Sequence, residues 1–124
     1  MTESAGGNSL RLRDYLDHIV EAAARIRRFT DDMTELAFLE NELVQDGVIR
    51  NIEVIGEAAR NVQRRFPQFA AKHAEVPWED IYWMRNRLSH GYFAVDLELV
   101  WKTVERDIPE LEAQILRLRE ATNE

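Results

Sequence analysis

Cysteine is absent from this chain of 124 residues, and proline and glycine are scarce, with 3 and 5 copies. Without cysteine there is neither a disulfide framework nor a thiolate metal site, which fits a reducing compartment such as the cytoplasm. So few glycines and prolines disfavour a many-stranded β protein with frequent turns. No apolar run approaches the roughly 18 to 20 residues of a membrane span. These absences predict a soluble, cytoplasmic protein.

Positive charge is also in short supply, because 16 Lys and Arg face 23 Asp and Glu, for a net charge of -7. Phosphate binding depends on local Lys and Arg, so the chain is not expected to wrap a nucleic acid over its whole surface. A confined basic patch could still bind RNA. Residues 1–9 lack the basic and apolar regions of a secretory signal and are predicted to form a flexible tail. A single domain is expected over residues 10–122.

Hydrophobic residues make up 45% of the chain, and their spacing is helical. Apolar side chains recur at steps of three and four residues through 12–26, 48–66 and 97–118, which places them on one face of each helix. No segment of any length alternates with a period of two. The pattern predicts an all-α bundle of four to six helices.

Helix boundaries are less sharply marked. Residues 32–65 could be one helix bent at Gly47 or two helices, with Thr30 or Asp32 as the N-terminal cap. The stretch between Pro67 and Pro77 is predicted to be the main loop. Further boundaries follow from single residues: Pro77 near the start of the next helix, Gly91 at its end, Asp96 as the cap of the last helix, and Pro109 as a kink within it.

The segment "RNRLSHGYF", residues 85–93, gathers side chains that can handle a phosphate or a proton. On a regular helix Asn86 and His90 would be about 40° apart, whereas Arg85 would be about 140° from His90. The three would therefore converge only if residues 89–91 unwind, or if a second copy faces the first. A two-fold dimer would bring two Arg and two His to one cleft.

These residue types suffice for one reaction in particular. A histidine carries protons near neutral pH, and an arginine presents a planar, permanently charged fork to a phosphate. Attack of an RNA 2′-hydroxyl on the adjacent phosphate needs only these two functions, and no metal, because the nucleophile belongs to the substrate. The alternative is structural: cations suit a helix C-terminus, His90 could be a cap, and Tyr92 and Phe93 could be core aromatics.

The same run, Arg85-Asn86-Arg87-Leu88-Ser89-His90-Gly91-Tyr92, resembles the signature of HEPN domains, and its spacing resembles the HepT toxin family. Two longer stretches are also similar to that family: "VIRNIEVIGEAAR" at 48–60 and "VPWEDIYWMRNRLSHGYFAVDLELVW" at 76–101. The likeness covers roughly residues 10 to 120. Gly47 departs from it, since a better helix former would be expected there.

The resemblance implies a HEPN-type helical homodimer that acts as a metal-independent ribonuclease toxin without a cofactor. It implies Arg85 and His90 as the catalytic pair, Asn86 and Arg87 as phosphate or RNA contacts, and Tyr92 as the acceptor of AMP. The implied partners are an RNA substrate and a MntA-type minimal nucleotidyltransferase that serves as antitoxin. The alternative is a non-catalytic helical module that docks a nucleotidyltransferase.

Other residues receive structural interpretations. Gly56 lies in a patch of small residues and is expected to permit close helix packing. Glu57 is either solvated or paired with a motif arginine. His18 is expected at the surface and His73 to be inert. The three tryptophans, Trp78, Trp83 and Trp101, are expected to be core or interface anchors.

Overall fold

A computed structural model of the chain describes residues 10–90 and 94–122, apart from the side chains at 89, 90 and 94; the expected tail, 1–9, lies outside the described residues. Among these residues, six helices form if the last three helical segments are counted as one, and the expected all-α bundle is confirmed. In chain order the elements are α1 (Leu12–Phe29), α2 (Glu35–Leu39), α3 (Glu42–Arg65), α4 (Pro67–Lys72), α5 (Trp78–Arg87), β1 (Ser89–His90), β2 (Ala94–Val95), α6 (Leu97–Lys102), a π-helical turn (Thr103–Asp107) and α7 (Ile108–Ala121).

The core lies where α3 packs against both α1 and α5, and α7 packs against α1. Its apolar residues are those of the helical periods, so the faces expected from the sequence are confirmed. Burying each large aliphatic side chain contributes about 1.5–3 kcal/mol. Trp78 and Trp101 belong to this core, whereas Trp83 is 45% exposed. The largest fully buried side chains are Phe38, Leu16, Ile19, Ile26, Ile52, Ile55, Ile108, Ile115, Val48, Val62, Val76 and Val100.

The expected caps of the second helix are wrong. The hydroxyl of Thr34 accepts the bond from the backbone N–H of Ala37, at 3.1 Å. Thr30 instead ends α1, where its hydroxyl donates to the carbonyl of Ile26. Asp32 lies in the turn with a φ of 60°, whereas the N-cap residue of a helix has an extended backbone. Two threonines four residues apart thus serve opposite helix ends.

The break within residues 32–65 is also not at Gly47. The chain leaves the helix at residues 40 and 41, and the side chain of Asn41 caps α3 by accepting from the N–H of Val44 at 3.0 Å. Gly47 lies inside α3, where an added Cβ would be 3.1 Å from the ring of Phe29. The glycine therefore makes room for the end of α1 and does not interrupt the helix.

The expected loop between Pro67 and Pro77 contains a helix, α4. Pro67 occupies its first turn, where the missing N–H would have no partner within the helix. Phe66 both ends α3 and precedes α4, and Ala70 is buried against the core. The proline thus starts a short helix at the point where α3 stops.

The end of α5 comes earlier than the expected stop at Gly91. The helix ends at Arg87 with Leu88 as its cap residue, and the backbone N–H of Asp96 donates to the Leu88 carbonyl at 2.7 Å. Asp96 also caps α6 as expected, because its carboxylate accepts from the N–H of Leu99 at 3.1 Å. The two ends are therefore tied together, and the chain reverses directly after α5. Two-residue strands such as β1 and β2 are too short to show a period of two in the sequence.

The last helix keeps its register through Pro109, as expected, but its irregularity lies just before the proline. The backbone forms a π-helical turn at Thr103–Asp107, and Pro109 falls in the first turn of α7. A proline cannot donate a backbone bond and clashes with the carbonyl four residues earlier, which belongs to this turn.

Arg27 of α1 holds α7 through Glu112, with 2.8 Å between Nη2 and Oε2. This hydrogen bond and the carboxylate charge raise the pKa of Arg27.

Close packing of α5 on α3 depends on Gly56. A Cβ at this position would lie 3.3 Å from the carbonyl oxygen of Tyr82 and 3.4 Å from that of Ile81. Both are backbone atoms of α5 and cannot rotate away. The expectation that the small-residue patch permits close helix approach is confirmed.

We expect Gly56→Ala to lower the free energy of unfolding by about 1 kcal/mol, because overpacking against backbone outweighs the gain in helix propensity. Gly47→Ala is the matched control in the same helix. Its new methyl meets only the ring of Phe29, which is 39% exposed and can move. Urea unfolding at fixed protein concentration measures both variants. Equal stabilisation by the two alanines would contradict the role assigned to Gly56.

Candidate functional site

A cleft of about 320 Å³ lies between α3 and α5, beside Gly56. The close approach of the two helices forms its floor. Its lining combines two apolar residues with an aromatic ring and several polar or charged side chains. The lining residues are Arg50, Ile52, Glu53, Gly56, Glu57, Tyr82, Arg85 and Asn86.

Arg85 reaches this cleft from the last turn of α5 and is held by Glu53 of α3. Its Nε donates to a carboxylate oxygen of Glu53 at 3.0 Å. Arg50, one turn away on α3, lies 3.7 Å from the other oxygen of the same carboxylate. The side chains of Arg85 and Glu53 are 42% and 37% exposed, so the pair is accessible from solvent. One acidic residue thus contacts two guanidinium groups at the edge of the cleft.

The carboxylate that meets the motif arginine is Glu53 and not Glu57, the residue weighed from the sequence. Among the described residues, the ion pairs of Glu53 go to Arg50 and Arg85, and Glu57 is exposed without an ion pair. A signal for Glu53 was available: it precedes Gly56 by three residues and therefore shares the face of α3 that packs against α5.

Asn86 is exposed and lines the same cleft as Arg85. Arg87 is elsewhere. Its guanidinium donates to the carbonyl of Asp80 at 2.9 Å, and it lines a separate cleft between α5 and α7. The structure therefore brings Arg85 and Asn86 together and leaves Arg87 apart, as the roughly 200° between positions 85 and 87 on a helix requires.

The backbone of His90 lies in β1, where it pairs with Ala94 of β2. The angular estimate made for a regular helix does not apply to it, because α5 ends at Arg87. Residues 89 and 90 are therefore outside the helix, and unwinding here was one of the two conditions under which the sequence allowed Arg85 and His90 to converge. The imidazole of His90 and the whole of Tyr92 lie outside the described residues, so their positions relative to Arg85 are not assigned.

Tyr82 is a member of the cleft that the sequence did not single out. The guanidinium of Arg60 stacks over its ring, 4.6 Å from the centroid, and also donates to its hydroxyl. Trp83 meets the same ring edge-on at 4.9 Å. Arg60 of α3 is therefore joined to Tyr82 of α5 by two contacts. These contacts fix one wall of the cleft.

A second cleft, of about 410 Å³, lies on the other side of the ridge formed by Arg50, Glu53 and Glu57. His18 lines it and is exposed, as expected for a surface residue. His73 ends α4 and stacks on Phe69 with ring centroids 4.6 Å apart. Neither histidine lines the cleft that holds Arg85.

A family model described as "Ribonuclease HepT-like" matches residues 19–118. The match covers most of the chain, and it contains α3, the whole of α5 and the motif from Arg85 to Tyr92. The chain belongs to the HepT-like ribonuclease family. The resemblance found in the motif and in the two longer stretches is thereby confirmed.

Relatives of this HepT-like chain carry related names. A Thermococcus cleftensis protein named "Probable ribonuclease HepT" is 41% identical over 107 residues, which are 86% of this chain and 94% of that protein. A Methanocaldococcus jannaschii protein named "Gamma-glutamylcyclotransferase and putative RNase" is 42% identical over 106 residues, but the chain spans only 46% of its length. A "Putative RNase" of Caldanaerobacter subterraneus is 34% identical over 103 residues, covering 83% and 89% of the two chains. No solved structure matches this chain.

The described parts of the HepT-like chain contain neither a candidate metal site nor a candidate membrane-spanning helix. No group of three or more His, Asp or Glu residues in 10–90 and 94–122 is placed to hold a metal ion. Within the same ranges, no helix combines the length and the hydrophobicity needed to cross a bilayer.

We expect Arg85→Ala to change the free energy of unfolding by less than about 1 kcal/mol, because ion pairs this exposed contribute little to stability. Ile55→Ala, a fully buried position on α3, should cost about 2–5 kcal/mol by comparison. Urea unfolding of both variants tests this. A loss at Arg85 as large as that at Ile55 would show that the arginine supports the fold, and activity data on it would then be uninformative.

Proposed function

We propose that this HepT-like chain is a metal-independent endoribonuclease that acts as the toxin of a toxin–antitoxin pair. Membership of a family described as ribonucleases supports the broad activity. One geometric observation carries the site: Arg85 and Asn86 line an open cleft at the end of α5, where the chain then reverses through His90. RNA is the proposed substrate.

The proposed chemistry is transfer of the phosphodiester to the neighbouring 2′-oxygen. His90 removes the proton of the 2′-hydroxyl, the new O2′–P bond forms, and the P–O5′ bond breaks. The leaving 5′-oxygen takes up a proton, so the products are a 2′,3′-cyclic phosphate and a 5′-hydroxyl end. Arg85 stabilises charge on the non-bridging oxygens, and Asn86 donates to the phosphate. No metal is needed, because the substrate supplies its own nucleophile.

The proposed active unit is a homodimer in which two copies of the motif face one cleft. The side chain of Arg85 is 42% exposed, and Trp83 on the same helix is 45% exposed. A two-fold arrangement would double the positive charge where the phosphate binds. Arg87, in its separate cleft, would contribute to RNA binding at a distance from the reacting phosphate.

The proposed control is covalent. A minimal nucleotidyltransferase of the MntA type would transfer AMP from ATP to the hydroxyl of Tyr92, releasing pyrophosphate. Tyr92 follows His90 by two residues, so the modification would put a bulky anion near the catalytic histidine. It would fill the cleft and repel an RNA phosphate. The antitoxin would therefore act on the same charges that the reaction uses.

Replacing either catalytic residue should abolish cleavage without unfolding the protein. We expect Arg85→Ala and His90→Ala to reduce RNA cleavage by about 100-fold or more, because each removes charge stabilisation or proton transfer. Arg64→Ala is the control, since Arg64 is exposed at the end of α3. It does not line the cleft and lies outside the motif. Cleavage of a labelled RNA in EDTA should continue and leave cyclic phosphate ends. A requirement for divalent metal would contradict the mechanism.

The modification is tested by intact-mass measurement after incubation with the nucleotidyltransferase and ATP. The mass should rise by whole AMP units in the native protein and not in Tyr92→Phe. Tyr82→Phe is the control, because Tyr82 accepts a bond from Arg60 and is only part of the cleft wall. No modification, together with normal growth of cells that make the chain alone, would favour the alternative, a non-catalytic module that docks the nucleotidyltransferase.

A further inference from the structure

Glu53 is a carboxylate that pairs with Arg85 in the described part of the chain. It lies on α3, 32 residues before Arg85 in the chain, and meets the Nε of that arginine at 3.0 Å. Glu53 lies outside the sequence motif at residues 85–92. The contact exists because Gly56, one turn along α3, lets the backbone of α5 approach closely.

The geometry of the bond is suited to orienting a guanidinium. A hydrogen bond from Nε fixes the orientation of the guanidinium plane. Nε is the nitrogen that joins the aliphatic part of the arginine side chain to the rest of the guanidinium group. Nη1 of Arg50 lies 3.7 Å from the other oxygen of the carboxylate. The three charges thus form a short row along the edge of the cleft.

Stability does not account for the pair. Both side chains are more than a third exposed, and such pairs contribute little to the free energy of unfolding. A charge pair placed beside a reactive group can instead act on geometry, since small misplacements of a catalytic group reduce rates strongly. An acidic residue next to a phosphate site also repels the substrate, so its presence there requires a compensating effect.

We propose that Glu53 is a positioning residue, which orients Arg85 for the transition state of RNA cleavage at the cost of weaker substrate binding. The proposal rests on the proposed ribonuclease function. It predicts opposite effects on the two kinetic constants: removing the carboxylate lowers kcat, because Arg85 loses its orientation, and lowers KM, because a negative charge leaves the phosphate path.

The kinetic test compares Glu53→Ala and Glu53→Gln with Glu57→Ala. Glu57 lines the same cleft and is not paired with Arg85 among the described residues, so its alanine variant removes the same charge without the bond. We expect kcat to fall about tenfold or more in Glu53→Ala and to stay within about twofold of native in Glu57→Ala. Glu53→Gln should recover most of kcat, because its amide oxygen can still accept from Nε. Equal kcat in the two alanine variants, or a higher kcat in Glu53→Ala, would overturn the proposal.

A spectroscopic arm separates this proposal from the function on which it rests. In the ¹H–¹⁵N NMR spectrum, the Nε–H signal of Arg85, assigned by its loss in Arg85→Lys, should shift and broaden in Glu53→Ala and remain unchanged in Glu57→Ala. If the signal is unaffected by Glu53→Ala, the positioning role is wrong, whatever the activity. If the signal responds but the native protein cuts no RNA, the contact stands and the proposed function fails.

Discussion

The approach of α5 to α3 at Gly56 is the contact on which the site depends. Because this residue has no side chain, two carbonyl oxygens of α5 can lie within 3.4 Å of the position that a Cβ would occupy. The same face of α3 then presents Glu53 to Arg85. A larger residue at position 56 would push α5 outward, so the geometry of the charged row and the floor of the cleft follow from one missing Cβ.

The early end of α5 has a comparable effect on the other side of the motif. If the helix continued to Gly91, Arg85 and His90 would point in directions far apart around its axis. Instead the helix stops at Arg87, and the bond from Asp96 to Leu88 turns the chain back toward the last helix. Asp96 therefore has two roles. Its backbone N–H bonds to the end of α5, and its carboxylate caps the start of α6. The sharp reversal is compatible with a site in which residues from before and after it act on one phosphate.

Charge in this HepT-like chain is organised locally, which reconciles its acidic balance with the proposed substrate. Arg50 and Arg85 gather beside the cleft around a single carboxylate, while Arg60 is engaged by the ring of Tyr82. Arg85 and Arg60 are thus held by contacts between α3 and α5, and Arg50 by a contact within α3. Such an arrangement suits recognition of one phosphate. It does not suit binding along a long nucleic acid, because a protein of net charge -7 repels a polyanion over most of its surface.

What the sequence by itself determined is the helical class, the faces that become buried and the identity of the motif, because apolar period and family pattern are written in neighbouring residues. The cap at Asp96 and the role of Gly56 were also predictable, since each follows from a local rule. The caps of α2 and the place of the break before α3 were not, because several Thr, Asp and Asn residues compete there and only packing selects among them. Gly47 looked like a weak point and proved to be a space for Phe29, a residue of another helix. The spacing of Glu53 from Gly56 indicates its face of α3, but its contact with Arg85 joins two helices. Only the tertiary structure decides which polar side chain on that face reaches the other helix.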